Sequence, residues 1–79
     1  MALRFIGIDP NTDTGNCPTV WFDPESNEFV LQGWNADEAT HAECLATGPI
    51  PDTESVIRMP ARMAQALRKA CDAADGSGL

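Results

Sequence analysis

Two short apolar runs separated by a turn, at residues 19–23 and 28–34, constrain the fold more than any other feature of the sequence. The runs, TVWFD and EFVLQGW, are rich in the β-branched and aromatic residues that strands favour. The four residues between them, PESN, have the length and composition typical of a hairpin turn. The sequence therefore predicts an antiparallel β-hairpin at the centre of the fold.

Apolar residues in this hairpin are continuous rather than alternating, as VWF at 20–22 and FVL at 29–31. A strand with one face in water alternates between apolar and polar side chains. Two interpretations remain open. Either a helix covers one face and a second copy or another protein covers the other, or a few apolar side chains are simply part-exposed.

The remaining elements flank the hairpin. Residues 36–46 have a moderate helical pattern with Asn35 as the expected N-cap. The clearest helix is expected to begin at Pro60, which suits a first helical position, and to continue through an alanine-rich sequence. Further strands are predicted at 3–8 and 54–59, and helices at 36–46 and 60–74.

Met63, Leu67 and Cys71 recur at helical spacing and are predicted to pack the C-terminal helix against the sheet. We therefore expect an α+β fold, a small antiparallel sheet of three or four strands packed by a C-terminal helix. The 79 residues leave room for one domain, predicted at 1–75, with a flexible tail at 76–79.

Charge is both acidic and unevenly distributed. The formal net charge is -7, and residues 6–56 contain ten acidic side chains and no Lys or Arg. This balance argues against direct binding to nucleic acid or to an anionic membrane. The segregation predicts steering of a partner of complementary charge, or alternatively a simple solubilising role. The basic residues of the last strand and helix are Arg58, Arg62, Arg68 and Lys69.

The three cysteines, Cys17, Cys44 and Cys71, are odd in number and form no CxxC pair. Reduced thiols are therefore expected, as in the cytoplasm. No apolar run is long enough for a signal peptide or a membrane span, since Asp9 interrupts the first one. These observations predict a cytoplasmic protein.

Two patterns suggest metal chemistry. Asp9, Asn11 and Asp13 have the rhythm of a calcium loop, but the glycine comes one position late and Val20 stands where the loop needs a Glu. A turn capped by Asx side chains is therefore favoured. His41 and Cys44 are three residues apart on a predicted helix, so a small metal-binding protein using His41 and cysteines is an alternative, although zinc needs four ligands.

No catalytic arrangement is recognisable. The chain has one His, no Gly-x-Ser-x-Gly motif and no phosphate-binding glycine loop. We therefore predict a protein that is not an enzyme and needs no cofactor. Aromatic and basic residues instead indicate an interaction surface. The residues predicted to form it are Trp21, Phe22, Phe29, Leu31, Trp34, Arg58 and Arg62.

Gly15-Asn16-Cys17 before an apolar strand, and a second strand ending near Gly33-Trp34, resemble the small acidic BldB-like proteins of actinobacteria. The resemblance covers residues 15–70. It implies a regulatory protein, encoded beside a helix-turn-helix regulator and acting by protein contact. The function predicted is thus a non-enzymatic interaction domain, dimeric itself, that regulates a basic, DNA-binding partner. An orphan structural homodimer is the remaining alternative.

Overall fold

The computed structural model describes residues 2–11 and 17–76, and the α+β fold is confirmed. A three-stranded sheet carries the C-terminal helix on one side. Two further strands form a second, separate sheet. The elements are β1 (Arg4–Ile8), β2 (Thr19–Asp23), β3 (Glu28–Gln32), β4 (Trp34–Asn35), α1 (Glu38–Leu45), β5 (Ile57–Arg58), a 3-10 turn (Ala61–Met63) and α2 (Ala64–Asp75).

The predicted hairpin is confirmed as β2 and β3, in a sheet of order β1-β2-β3 with antiparallel neighbours. Asp23 sets the turn, because its Oδ1 accepts hydrogen bonds from the backbone N–H groups of Glu25 at 3.0 Å and Ser26 at 3.4 Å. Asn27 completes the turn at φ 59, a left-handed conformation that asparagine tolerates better than most residues.

The predicted strand at 28–34 is interrupted at Gly33, and its last part forms a separate sheet. β4 pairs with β5, with Trp34 opposite Arg58. The strand predicted at 54–59 is thus only two residues long and does not join the main sheet. Gly33 lies very close to β5, since a Cβ at this position would be 2.6 Å from the Arg58 carbonyl oxygen.

Gly33→Ala is therefore expected to lower the free energy of unfolding by about 1–3 kcal/mol, because backbone atoms must move to admit the methyl group. Gly48→Ala is the matched control, since a Cβ there meets nothing within 4 Å. Urea denaturation followed by circular dichroism measures both. Equal stability of the two variants would contradict the close approach at Gly33.

Helix α2 packs against β1 and β2 through small residues. Met63 and Ala70 are buried with Val20, and Ala66 packs beside them. The prediction for Met63 is confirmed, whereas those for Leu67 and Cys71 are wrong, because Leu67 is 38% exposed and Cys71 is also exposed.

The reason is how closely the helix approaches the sheet. A Cβ on Gly7 would lie 3.0 Å from the Ala66 Cβ, which leaves no room for a larger side chain at position 66. The start of α2 also differs from the prediction. Pro60 is extended, and a 3-10 turn separates it from α2.

Helix α1 is capped by Asp37 rather than by the predicted Asn35, which lies in β4. The Asp37 Oδ1 accepts a hydrogen bond from the Thr40 backbone N–H at 2.8 Å, and this bond lowers the pKa of the Asp37 carboxyl. No residue of α1 is buried. None of the helices in the described ranges is long and apolar enough to cross a bilayer.

Candidate protein-interaction surface

The two faces of the three-stranded sheet differ in what covers them. Residues paired across antiparallel strands lie on the same face, and neighbours along a strand alternate between faces. Val20 and its partner Gly7 face α2. Trp21, with its partners Phe5 and Val30, therefore lies on the opposite face.

This opposite face carries an apolar row that crosses all three strands. Phe5 is 61% exposed, and Trp21 and Val30 are half-buried. Ile8, 46% exposed, lies on the same face because it pairs with Thr19. We call this set of four residues the Trp21 face. Among the described elements α2 packs on the other side of the sheet, and on this face Phe5 and Ile8 remain exposed, whereas Thr19 at its end is buried.

The borders of the Trp21 face are polar, and one of them is acidic. Asp23 and Glu28 are paired at the hairpin end, two residues beyond Trp21 and Val30 on their strands. At the other end, the Thr19 hydroxyl and the Gln32 amide both donate to the Cys17 carbonyl oxygen at 2.7 Å. The polar groups at this end are thus hydrogen-bonded within the chain. The charge along the border of the Trp21 face comes from Asp23 and Glu28 at the hairpin end.

The other aromatic residues predicted for the interaction surface lie elsewhere. Phe22 is only 4% exposed and packs with Phe29, their ring centroids 6.1 Å apart. Phe22 therefore lies in the core and not on the exposed surface for which it was predicted. Phe29 and Leu31 are exposed, but they lie on the α2 side of β3.

Trp34 and Arg58 belong to the second sheet, where they are paired and both exposed. The Arg58 Nη1 donates to the Thr40 hydroxyl at 2.8 Å, which ties β5 to the start of α1. The structure thus places these two predicted residues together, but they are not part of the Trp21 face.

Arg62, predicted as a contact for a partner, is engaged within the chain. Its Nε and Nη2 donate to Oδ1 and Oδ2 of Asp9, both at 2.7 Å, and Asp9 is 1% exposed. The Asn11 backbone N–H also donates to Asp9 at 3.0 Å, which confirms an Asx-type turn. The Arg62 charge is thereby compensated within the chain, while its side chain is 43% exposed, and its contact with a partner stays a prediction. The rest of the loop motif, including Asp13 and Gly15, lies outside the described residues.

The Asp9–Arg62 pair predicts a pH dependence of stability. Hydrogen bonding to Arg62 lowers the pKa of Asp9 from its ordinary 3.8 and raises that of Arg62. A carboxyl group whose pKa is lowered by folding stabilises the fold at pH values above its unfolded-state pKa. This stabilisation is lost as the pH falls through the folded-state pKa. The melting temperature of the wild type is thus expected to fall on acidification between about pH 5 and pH 2.

Asp9→Asn is expected to melt at a lower temperature than the wild type at neutral pH. Its melting temperature should also fall less on acidification, because the ion pair with Arg62 is already absent. Some acid dependence remains in this variant, since Asp37 also has a lowered pKa. Calorimetry across this pH range measures both quantities, with the exposed Asp52→Asn as control. Parallel pH profiles for Asp9→Asn and wild type would contradict the role of the pair.

Metal-ligating residues are not assembled in the parts of the chain that the structure describes. Across residues 2–11 and 17–76, no three His, Cys, Asp or Glu side chains form a group that could hold a metal ion. His41 and Cys44 lie on α1 and Cys71 on α2. All three cysteines are free thiols.

Sequence reasoning missed three of the four residues of the Trp21 face, Phe5, Ile8 and Val30. Val30 could have been predicted from the sequence, because a four-residue turn at 24–27 places it opposite Trp21. Of the motif on which the resemblance to BldB-like proteins rests, Gly15 and Asn16 lie outside the described residues. No protein-family model matches the chain, and no match was found among curated proteins or solved structures.

Proposed function

We propose that the protein is a non-enzymatic interaction module that docks a basic partner protein on the Trp21 face. One observation carries the proposal, the open apolar row of Phe5, Trp21 and Val30 with carboxylates at its border. Large aromatic side chains that are already held rigid by a sheet are the residue types that dominate binding energy at interfaces.

The chain exposes much apolar surface, including the side chains of Phe5 and Ile8. The accessible surface of the whole chain is 5869 Å². A compact monomer of 8.5 kDa is expected to expose about 4,650 Å². The chain therefore exposes roughly 1,200 Å² more than a compact monomer of its size, which means that its fold is less compact than usual. A partner on the open sheet would cover apolar surface that the thin core leaves outside.

Charge supports the choice of a basic partner. Asp23 and Glu28 adjoin the apolar row, and the chain as a whole carries a net charge of -7. Complementary charge accelerates association and orients the partner. Following the resemblance to BldB-like proteins, we propose a helix-turn-helix regulator as this partner. The acidic border would then compete with DNA for the regulator's basic surface.

A second copy of the chain is the less favoured occupant of the same face. Self-association would bring together two molecules of the same strong negative charge, which opposes dimerisation at low salt. Sedimentation at several concentrations separates the two cases. A monomer at high concentration agrees with a basic partner, whereas a dimer whose formation Phe5→Ser abolishes would assign the face to self-association.

Capture from an extract of the source cell, at low and at high salt, tests the proposal. A protein of high isoelectric point is expected to be retained at about 0.1 M salt and to be largely lost at about 0.5 M, because salt screens steering charges. Beads bearing an acid-to-amide double variant, Asp23→Asn with Glu28→Gln, should retain less of it. Recovery of the bait alone at both salt concentrations would count against the proposal.

A further inference from the structure

Strand β1 lies at an edge of the main sheet and runs beside helix α2. Among the described strands its sheet neighbour is β2, so the backbone groups along its other side are not used in the sheet ladder. Such an edge is a template for adding a further strand. A helix that flanks the edge adds side-chain pockets, which give selectivity to strand addition.

Two adjoining concavities form a groove between β1 and α2. Their volumes are about 260 Å³ and 290 Å³, and Ile6 and Lys69 line both of them. The floor is apolar, from Ile6, Met63 and Ala66. Because β1 is five residues long and a strand rises about 3.4 Å per residue, the groove matches an extended segment of four to five residues, about 17 Å.

The groove has a charge opposite to that of the chain. Arg4, Arg62 and Lys69, three of the five basic residues, line it, with Asp72 as the one acidic member. Arg62 is compensated by Asp9, so Arg4 and Lys69 remain as the cationic groups at the rim. A small basic surface on a chain of net charge -7 favours a partner segment that is itself acidic.

We propose that this groove binds an extended acidic peptide segment of a partner protein, which pairs with β1 as a fourth strand of the sheet. Backbone hydrogen bonds to β1 supply the register, apolar side chains enter the floor over Ile6, and acidic side chains face Arg4 and Lys69. This site lies between β1 and α2 and adjoins the Trp21 face, because Phe5 and Ile8 also line the groove, whereas Trp21 and Val30 do not.

Two other roles for this edge predict different results. The bulge at Ile6 and the charged side chains are features that can protect an edge strand from pairing with another strand. If protection is their sole role, β1 binds no peptide. A second copy pairing β1 with β1 would bring Arg4 and Lys69 close to their equivalents, which charge opposes. A second copy donating its β3 edge, with Glu28, would give concentration-dependent assembly instead.

Selection of random decapeptides from a displayed library, using the full chain as bait, tests the proposal. Acidic residues alternating with apolar ones are expected to be enriched. A synthetic peptide of the selected sequence should bind about tenfold more weakly to Lys69→Glu or Arg4→Glu. Arg68→Glu is the matched control, because Arg68 is exposed on the same helix and does not line the groove.

Backbone N-methylation at alternate residues of the same peptide should abolish binding, because it removes the donors needed for strand pairing. Trp21→Ser should leave peptide binding unchanged, which separates this site from the proposed docking face. The proposal is overturned if no acidic sequence is enriched, if the reversed charges leave the affinity unchanged, or if the N-methylated peptide binds as well. If the free chain self-assembles and Glu28→Lys abolishes this assembly, the β1 edge is an interface with a second copy of the chain.

Discussion

Met63→Ala is expected to lower the free energy of unfolding by about 2–5 kcal/mol. Met63 is one of the largest fully buried side chains, and it joins α2 to the sheet through Val20 and Ala70. A 79-residue chain has a total stability of about 4–12 kcal/mol. The substitution therefore removes a large fraction of it, measurable as a shift of the urea midpoint followed by circular dichroism.

Leu67→Ala is the control that distinguishes the observed helix orientation from the one the sequence pattern predicts. Leu67 follows Met63 by one helical turn but is exposed, so its truncation is expected to cost less than about 1 kcal/mol. Equal losses for Met63→Ala and Leu67→Ala would mean that α2 is rotated relative to the sheet. That result would contradict the contact between Gly7 and Ala66.

Trp21→Ser is expected to weaken binding of the proposed basic partner about 30-fold or more, which corresponds to at least about 2 kcal/mol. The indole lies at the centre of the apolar row, between Phe5 and Val30. A partner that covers this row removes the indole from water, and the serine offers no comparable area. Phe5→Ser, at a more exposed position, is expected to give a smaller loss with an intact fold.

Leu45→Ser is the matched control for these two variants. Leu45 is an exposed leucine at the end of α1, a helix without buried residues, and not on the sheet. It is expected to bind the partner as the wild type does. Titration calorimetry with the captured partner measures all three affinities, and equal binding by Trp21→Ser and Leu45→Ser would rule out the Trp21 face as the docking site.

Local sequence signals predict the parts of this fold that depend on neighbouring residues. The turn at 24–27 specifies the hairpin, because Asp23 and Asn27 have side chains suited to turn geometry. The α+β class follows from the hairpin and the alanine-rich C-terminal helix. The placement of Trp21 opposite Val30 follows from the length of the turn alone.

Features that depend on contacts between distant segments were not predictable in this way. The bulge in β1 places Phe5 and Ile8 on one face, whereas a regular period of two would put them on opposite faces. The pairing of Asp9 with Arg62 joins positions 53 residues apart. Leu67 follows the helical pattern but is exposed, because a glycine in the sheet admits Ala66 closely instead.

The environment of Trp21 in the bound state tests the proposed docking face most directly. In Trp34→Phe, whose substituted position is exposed, Trp21 is the single remaining tryptophan and reports on the face alone. Saturation with the captured basic partner is expected to shift its fluorescence emission to shorter wavelengths and to reduce quenching by acrylamide, because the partner excludes water from the indole. Unchanged emission and quenching in a complex that has formed would contradict docking on the Trp21 face.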